Sequence, residues 1–232
     1  MRAGLLGATL LLAGCAGAAT PPAGSWLHPS FSAGQLQSET VVVLPVGAVA
    51  LPAGAADDSL AGALAVRAGE ALAHALQAGG AAGLAVRPAE AVAALATLSA
   101  DEIAALYAPL GPTLLEAALG GELPPADAGA WRDAAMRAGA RYYLVPRTLA
   151  IARLEPLRVR AELDAWLVDG EAATVLWHAP VSASNPHAPS GAAVDVYEAA
   201  LQDALDAAAA RLAARLVRLT RTGADDSEAS TP

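Results

Sequence analysis

Residues 140–183, ARYYLVPRTLAIARLEPLRVRAELDAWLVDGEAATVLWHAPVSA, contain three consecutive segments rich in strand-forming residues. The segments are separated by short breaks at Glu155-Pro156 and at residues 169–171, Asp-Gly-Glu. Strand-type segments joined by such short breaks are typical of hairpins. The sequence therefore predicts an antiparallel meander of three strands.

The middle segment of this meander alternates between two kinds of side chain. Small and aliphatic residues occupy one set of positions: Val159, Ala161, Leu163, Ala165 and Leu167. The other set is Arg158, Arg160, Glu162, Asp164 and Trp166. Because successive side chains of a strand point to opposite faces, this pattern predicts one buried and one solvent-facing side.

The chain before the meander predicts a parallel crossover. A β-branched, apolar run at residues 40–49 is typical of a buried strand, and Asp57, Asp58 or Ser59 is positioned to cap the helix that follows. That helix ends at Gly79-Gly80, and residues 83–88 (GLAVRP) have the composition of a second strand. A strand, a helix and a strand in this order favour a right-handed βαβ unit.

The remaining segments are predicted to be helical. Residues 89–119 form a helical stretch broken at Pro109 and Pro112, in which Ser99 with Glu102 has the spacing of a capping box, and a shorter helix covers residues 130–139. A last helix is marked by apolar residues at steps of three and four, namely Val194, Tyr197, Leu201, Leu205, Ala208, Leu212, Leu216 and Leu219. The predicted fold is one α+β domain over residues 40–221, with a mixed sheet flanked by helices and the order β-α-β-α-α-β-β-β-α.

The N-terminus contains the features of an exported lipoprotein. Arg2 is followed by an apolar run, and Leu12-Ala13-Gly14-Cys15 resembles a bacterial lipobox in which the cysteine is alkylated by diacylglycerol and becomes the first mature residue. The alternatives are a free cysteine behind an ordinary signal peptide, or a short membrane helix, for which the apolar run is barely long enough. Ala16 after the cysteine favours the outer membrane over the inner membrane.

These features divide the chain into a signal peptide over residues 1–14, a lipidated flexible tether over 15–39, the domain, and a disordered tail over 222–232. Within the tether, Trp26, Leu27 and Phe31 are expected to dock on the domain or on the bilayer surface. We expect an outer-membrane protein that faces the periplasm and is held by its N-terminal lipid.

Three segments resemble a family of envelope lipoproteins. Residues 135–149 (AMRAGARYYLVPRTL) are similar to its Ala-Gly-Ala-x-Tyr strand entry, residues 161–177 (AELDAWLVDGEAATVLW) to its strand-turn-strand ending in Trp, and residues 196–216 to its closing helix. The family comprises periplasmic lipoproteins related to the curli-secretion lipoprotein, LpoB-type activators of penicillin-binding proteins and the TolB N-terminal domain. The resemblance covers residues 41–219 and implies a small sheet backed by helices that binds envelope proteins or assembles into rings. The chain lacks long alternating segments for pore hairpins, so a channel is disfavoured.

Charge and motif content argue against several other functions. The net charge of −9, from 14 basic and 23 acidic residues, disfavours a nucleic-acid partner. There is no G-x-S-x-G, H-E-x-x-H or phosphate-binding glycine loop, and we expect no metal and no cofactor. His178 and His187, with Asp195 beyond them, are the strongest catalytic or metal candidates, but two exposed histidines at this spacing match no known ligand pattern.

Two classes of function remain at this stage. The first is a non-catalytic lipoprotein that binds a periplasmic protein partner in envelope assembly or secretion, with a homo-oligomer as an option. The second is a ligand-binding or hydrolytic lipoprotein whose site is assembled from residues distant in sequence. For the first class the candidate partner-binding residues are Trp166, Arg158 and Arg160, provided that no other part of the chain covers Trp166.

Overall fold

The computed structural model describes residues 24–52, 58–96, 98–116, 120–155, 158–185 and 193–228. The strands are β1 (Trp26–Leu27), β2 (Thr40–Val43), β3 (Ala48–Ala50), β4 (Leu84–Val86), β5 (Tyr142–Glu155), β6 (Arg158–Asp169) and β7 (Thr174–Ser184). The α-helices are α1 (Asp58–Ala78), α2 (Pro88–Ala94), α3 (Ala100–Tyr107), α4 (Pro125–Ala138) and α5 (Ala193–Glu228). Short 3-10 helices lie at Ala33–Ser38 and Pro112–Leu115.

The strands form one mixed sheet in the order β1-β7-β6-β5-β2-β4, with β3 pairing to β5 in line with β2. The β5-β6-β7 pairs are antiparallel, which confirms the predicted meander. The β2-β4 pair is parallel and is connected through α1, which confirms the predicted crossover. The α+β class is therefore confirmed.

Two hydrophobic cores lie on opposite faces of the sheet. Helices α1 and α5 cover one face, where Leu205 and Leu212 are 1% and 0% exposed. Leu201, Ala208 and Leu216 of the predicted stripe are also buried, while the side chain of Val194 lies outside the described residues. The closing helix therefore docks on the sheet through its apolar stripe, as predicted.

The second core lies under helices α2, α3 and α4, which cover one end of the other face. The predicted break in the helical stretch falls between α3 and the 3-10 helix at Pro112–Leu115. Ser99 Oγ accepts from the Glu102 N–H, and the Glu102 carboxylate accepts from the Ser99 N–H, so the predicted capping box is present. These helices cover the sheet only where β5 begins and β6 ends.

The segment predicted as a flexible tether is docked on the domain from residue 24 onward. β1 pairs antiparallel with β7, placing Trp26 opposite His178, and Phe31 is buried in the core under α1 and α5. The apolar side chains of the segment therefore contact the domain, which was one of the two expected positions. The folded part of the chain includes residues 24–39 and does not begin at residue 40.

At the other end, helix α5 continues to Glu228, past the predicted domain end at residue 221. Its last residues therefore occupy part of the segment for which the sequence predicts a disordered tail. Residues 229–232 lie outside the described residues.

Candidate protein-binding face

Helices α2 to α4 do not cover the far half of the meander, which is the half where β5 ends and β6 begins. In the observed register, Thr148, Ala150 and Ala152 of β5 lie opposite Asp164, Glu162 and Arg160 of β6. β3 and β7 add neighbours on either side, so that the face, which we call the open face, consists of Ala48, Ala50, Thr148, Ala150, Ala152, Arg158, Arg160, Glu162, Asp164, Pro180, Ser182 and Ser184. All of these residues are exposed or half-buried.

On the open face, the charged side chains of β6 form a central ridge between two rows of small residues, one on β5 and one on β7. Arg158 and Arg160 lie at the far end of β6, and Glu162 and Asp164 follow toward the covered end. Arg160 Nη1 lies 3.6 Å from Glu162 Oε1, with side chains 43% and 50% exposed. An exposed ion pair at this distance contributes little to stability, so both side chains remain available to a partner.

One exposed large apolar side chain lies next to the open face, near the end of β5. Leu154, near the end of β5, is 40% exposed. Its neighbour Glu155 pairs with Arg158 across the sheet. An apolar side chain beside two arginines is the kind of cluster that often dominates binding energy in interfaces.

Trp166 is not part of this exposed cluster, although the sequence made it a candidate anchor. It is 1% exposed and belongs to the core under α2, α3 and α4, against which Trp26 also packs. Helices α2 to α4 and the N-terminal segment therefore cover it, and a partner cannot reach it without displacing them. Arg158 and Arg160 stay on the surface as candidates.

The structure instead makes Trp166 part of a polar cluster that the sequence did not reveal. His178 Nε2 lies 2.5 Å from Asp164 Oδ1, and the Trp166 Nε1–H donates to Asp164 Oδ2 at 3.0 Å. The Trp166 and His178 rings lie 4.2 Å apart between centroids. The expectation of an exposed strand-end histidine at position 178 is wrong, because its side chain is 13% exposed and lies opposite Trp166 in the sheet.

The cluster changes the ionisation of Asp164. Burial by itself raises the pKa of this carboxyl. The hydrogen bonds from His178 and Trp166, and the charges of His178 and Arg147, outweigh burial, so that the pKa of Asp164 lies below its usual range. Asp164 is therefore a carboxylate at neutral pH.

The same geometry argues against His178 as a catalytic base. Its Nε2 is engaged by Asp164, and its Nδ1 is buried without a hydrogen-bond partner in the described part of the chain. A general base needs a ring nitrogen within hydrogen-bond reach of the proton it removes. Neither nitrogen of His178 is open to a substrate in this arrangement.

A second, smaller feature lies at the opposite end of the meander. A cleft of about 270 Å³ is lined by polar groups that include His28, Glu122, Arg141, Asp169 and Thr174. Its strongest groups bind each other: Arg141 Nη2 lies 2.6 Å from Asp169 Oδ2, and Asp169 Oδ1 accepts from the N–H groups of Glu171 and Ala172. Asp169 thus closes the β6-β7 turn through the two N–H groups and ties it to Arg141, which precedes β5. These contacts leave fewer free groups for a ligand.

The other sequence candidates do not form a site. Asp58 begins α1, while Cys15, Asp57 and His187 and the side chain of Asp195 lie outside the described residues. Among the described residues, no three or more His, Cys, Asp or Glu side chains come together as a metal site would require. None of the described helices is both long enough and apolar enough to cross a membrane.

Comparison with solved structures finds similar folds at low identity. The PelC dodecamer of Paraburkholderia phytofirmans matches 83% of this chain and 94% of its own, with 16% identity and a TM-score of 0.43. A hypothetical protein of Chlamydia trachomatis matches 77% of this chain and 98% of its own, with 14% identity and a TM-score of 0.43. The LpoB C-terminal domain of Salmonella enterica matches 65% of this chain and 94% of its own, with 14% identity and a TM-score of 0.31.

LpoB is also one of the lipoproteins that the sequence motifs resemble. No protein-family model matches the chain, and no curated protein matches its sequence.

Proposed function

We propose that this chain is a lipid-anchored, non-catalytic protein of the bacterial envelope that binds another envelope protein through the open face. The observation that carries the proposal is the open face, where Arg158 and Arg160 lie between two rows of small side chains and next to the exposed Leu154. Small side chains allow another protein to approach the sheet closely, and arginine is enriched among the residues that dominate binding energy.

The charges of the open face define the chemistry of the partner. The two arginines lie at one end of the β6 ridge and the two carboxylates at the other. A partner surface with acidic groups over Arg158 and Arg160, and a basic group over Glu162 and Asp164, would be complementary in sign. Such complementarity sets orientation and association rate more than affinity.

The proposal is tested by crosslinking in the native envelope. A photoreactive amino acid at Ser182 on the open face should crosslink to a partner that mass spectrometry identifies, whereas one at the exposed Val66 of α1 should not yield that product. Introducing Arg158→Glu and Arg160→Glu together should abolish the Ser182 product, because the charges that meet the partner's acidic groups are reversed. The midpoint of thermal unfolding should shift by less than about 2 °C, as expected for exposed residues.

A matched variant carries Arg67→Glu and Arg132→Glu, which reverse the same number of exposed charges on α1 and α4. It should leave the crosslink intact. A crosslink that survives the Arg158 and Arg160 reversal, or that disappears equally in the matched variant, would reject the open face as the binding site.

The cleft beside Arg141 supports a second candidate function, the binding of a small polar ligand. It is concave and polar, as ligand sites are, but it lies at the lower end of their usual volume. Thermal-shift measurements with amino acids, sugars and short peptidoglycan fragments test this option. A stabilisation that Thr174→Val abolishes would favour it, and Thr174→Ser is the control, because it keeps the hydroxyl.

A further inference from the structure

The two edges that flank the far half of the meander differ in whether they can accept another strand. On the β7 side, β1 pairs with the strand at Trp177 and His178. Beyond that point Pro180 has no N–H to offer, and its carbonyl accepts from Arg215 Nη1 at 2.6 Å. The Ser182 carbonyl accepts from Arg211 Nη1. Arginines of α5 therefore occupy the outward carbonyls, which is one way in which proteins protect a sheet edge.

The β3 side has no such protection in the described residues. β3 pairs with β5 on its inner side, and no further described strand pairs with its outer side. Its residues Ala48, Val49 and Ala50 carry no charge, and both alanines are exposed. Main-chain groups on an unprotected edge are a template for an added strand.

The side chains next to this edge favour an added strand with large residues. Ala48 and Ala50 of β3 lie beside Thr148 and Ala150 of β5 on the open face. This row of small residues leaves space above the sheet, which is bounded by the charged ridge of β6. Large side chains on one face of an incoming strand would fill that space, since residues at alternate positions of a strand point to the same side.

We infer that the partner attaches by adding an extended strand to the outer edge of β3, so that the strand continues the open face. The inference rests on the proposed function and specifies how the partner's main chain is held. The occupant is a segment of a different protein, because two copies of a chain with net charge −9 repel each other. The outer edge of β4 is a poorer site for strand addition, because α2 begins at Pro88, two residues after β4 ends at Val86.

Hydrogen exchange of the full chain tests the inference, with the acetylated and amidated peptide TVYVYVT as the probe. In the free protein, the β3 amides that point away from β5 should exchange rapidly. At a peptide concentration of about nine times its Kd these amides should exchange about tenfold more slowly, because only the unbound fraction remains open. Amides of residues 84–86 in β4 and 181–184 in β7 should be unaffected.

A peptide of the same sequence, N-methylated at alternate residues, is the control for main-chain pairing. It keeps the side chains but loses the N–H groups of one edge, so it should give no protection. Ala50→Lys should weaken binding of the unmodified peptide, because a lysine disfavours strand addition, whereas Ser182→Lys on the protected edge should not.

Three results would overturn the inference: slow exchange of the outward β3 amides in the free protein, equal binding of the N-methylated peptide, or protection at β4 or β7 instead of β3. The experiments distinguish failure of strand addition at β3 from failure of the proposed function. If the Ser182 crosslink depends on Arg158 and Arg160 while β3 gains no protection from the peptide, then the open face binds the partner without strand addition.

Discussion

At the scale of single residues, the Asp164 carboxylate is the group on which the centre of the meander depends. It accepts hydrogen bonds from two side chains on the same face, His178 of the neighbouring strand and Trp166 of its own strand. Asp164→Asn should lower the free energy of unfolding at pH 7 by about 1–3 kcal/mol, because a charged acceptor of two partly buried donors is lost. Urea denaturation checks this value, and Glu162→Gln, on the exposed part of the same strand, should change it by less than about 0.5 kcal/mol.

The same residue predicts a dependence on pH with a definite sign. The pKa of Asp164 is lower in the folded state than its usual value, so its contribution is fully present above the pKa of the unfolded chain. That contribution is lost as the pH falls below about 4 and approaches the folded-state pKa. The difference between wild type and Asp164→Asn should therefore shrink below pH 4, and a difference that grows in acid would contradict this assignment.

Gly121 shows how one backbone position holds the N-terminal segment. Its φ is +83°, and a Cβ added there would lie 2.5 Å from the Trp26 ring and 2.9 Å from the Val175 carbonyl oxygen. Gly121→Ala should destabilise the fold by about 1–3 kcal/mol, because the φ is unfavourable for alanine and Trp26 must move. The control is Gly129→Ala on α4, where a Cβ meets nothing within 4 Å. It should stabilise the helix by about 0.5–1 kcal/mol, and thermal unfolding measures both.

The residue scale is also where prediction from the sequence was weakest. The alternation in β6 correctly separated a buried from a polar face, but it could not show that helices α2 to α4 cover Trp166 while leaving Arg158 exposed. That difference depends on where α2 to α4 pack, which is a long-range contact. The pairing of Asp164 with His178 likewise depends on the β6-β7 register, which includes a bulge near Leu167 that strand propensity does not reveal.

At the scale of elements, helix α5 stabilises the sheet through its apolar stripe. Leu205 is 1% exposed and packs in the core between α5, α1 and the meander. Leu205→Ala should cost about 2–5 kcal/mol, since the substitution leaves a cavity in a closely packed region. Leu84→Ala in β4 is the matched control, because Leu84 is 49% exposed and should lose less than about 1 kcal/mol. Equal losses in the two variants would mean that α5 is not docked as described.

The elements themselves were largely predictable, because each has a strong local pattern. Period-two alternation marked the meander, three- and four-residue steps marked α5, and Ser99 with Glu102 marked the start of α3. β1 and β3 were not foreseen as separate strands, because they have two and three residues. Such short strands exist only through their pairing with β7 and β5, and periodicity over two or three residues carries no information.

At the scale of the whole molecule, the two faces of the sheet have different roles. One face is closed by α1 and α5 along the meander, whereas the other is closed at one end and open at the other. Helices α2 to α4 cover the rest of that face and leave the open half exposed. This asymmetry is the reason for assigning binding to the open face, whose far end carries Arg158 and Arg160.

The location of the molecule is predicted to depend on Cys15 alone. The lipobox-like sequence Leu12-Ala13-Gly14-Cys15 is expected to receive acyl chains, each contributing about 0.8 kcal/mol per buried CH₂ to membrane binding. Trp26, Leu27 and Phe31 of the N-terminal segment pack against the domain. Cys15→Ser should therefore abolish labelling by radioactive palmitate and move the protein out of the outer-membrane fraction as an uncleaved or soluble form.

The domain itself should be unaffected by this change, because the described fold begins at residue 24 and does not include Cys15. The thermal midpoint of purified Cys15→Ser should equal that of the unlipidated wild-type domain. Ala16→Ser is the matched control, since it alters the neighbouring residue but keeps the thiol, and it should retain both palmitate and membrane location. If Cys15→Ser stayed entirely in the outer membrane, an anchor outside the lipobox would have to hold the protein there, and the lipidation assignment would be wrong.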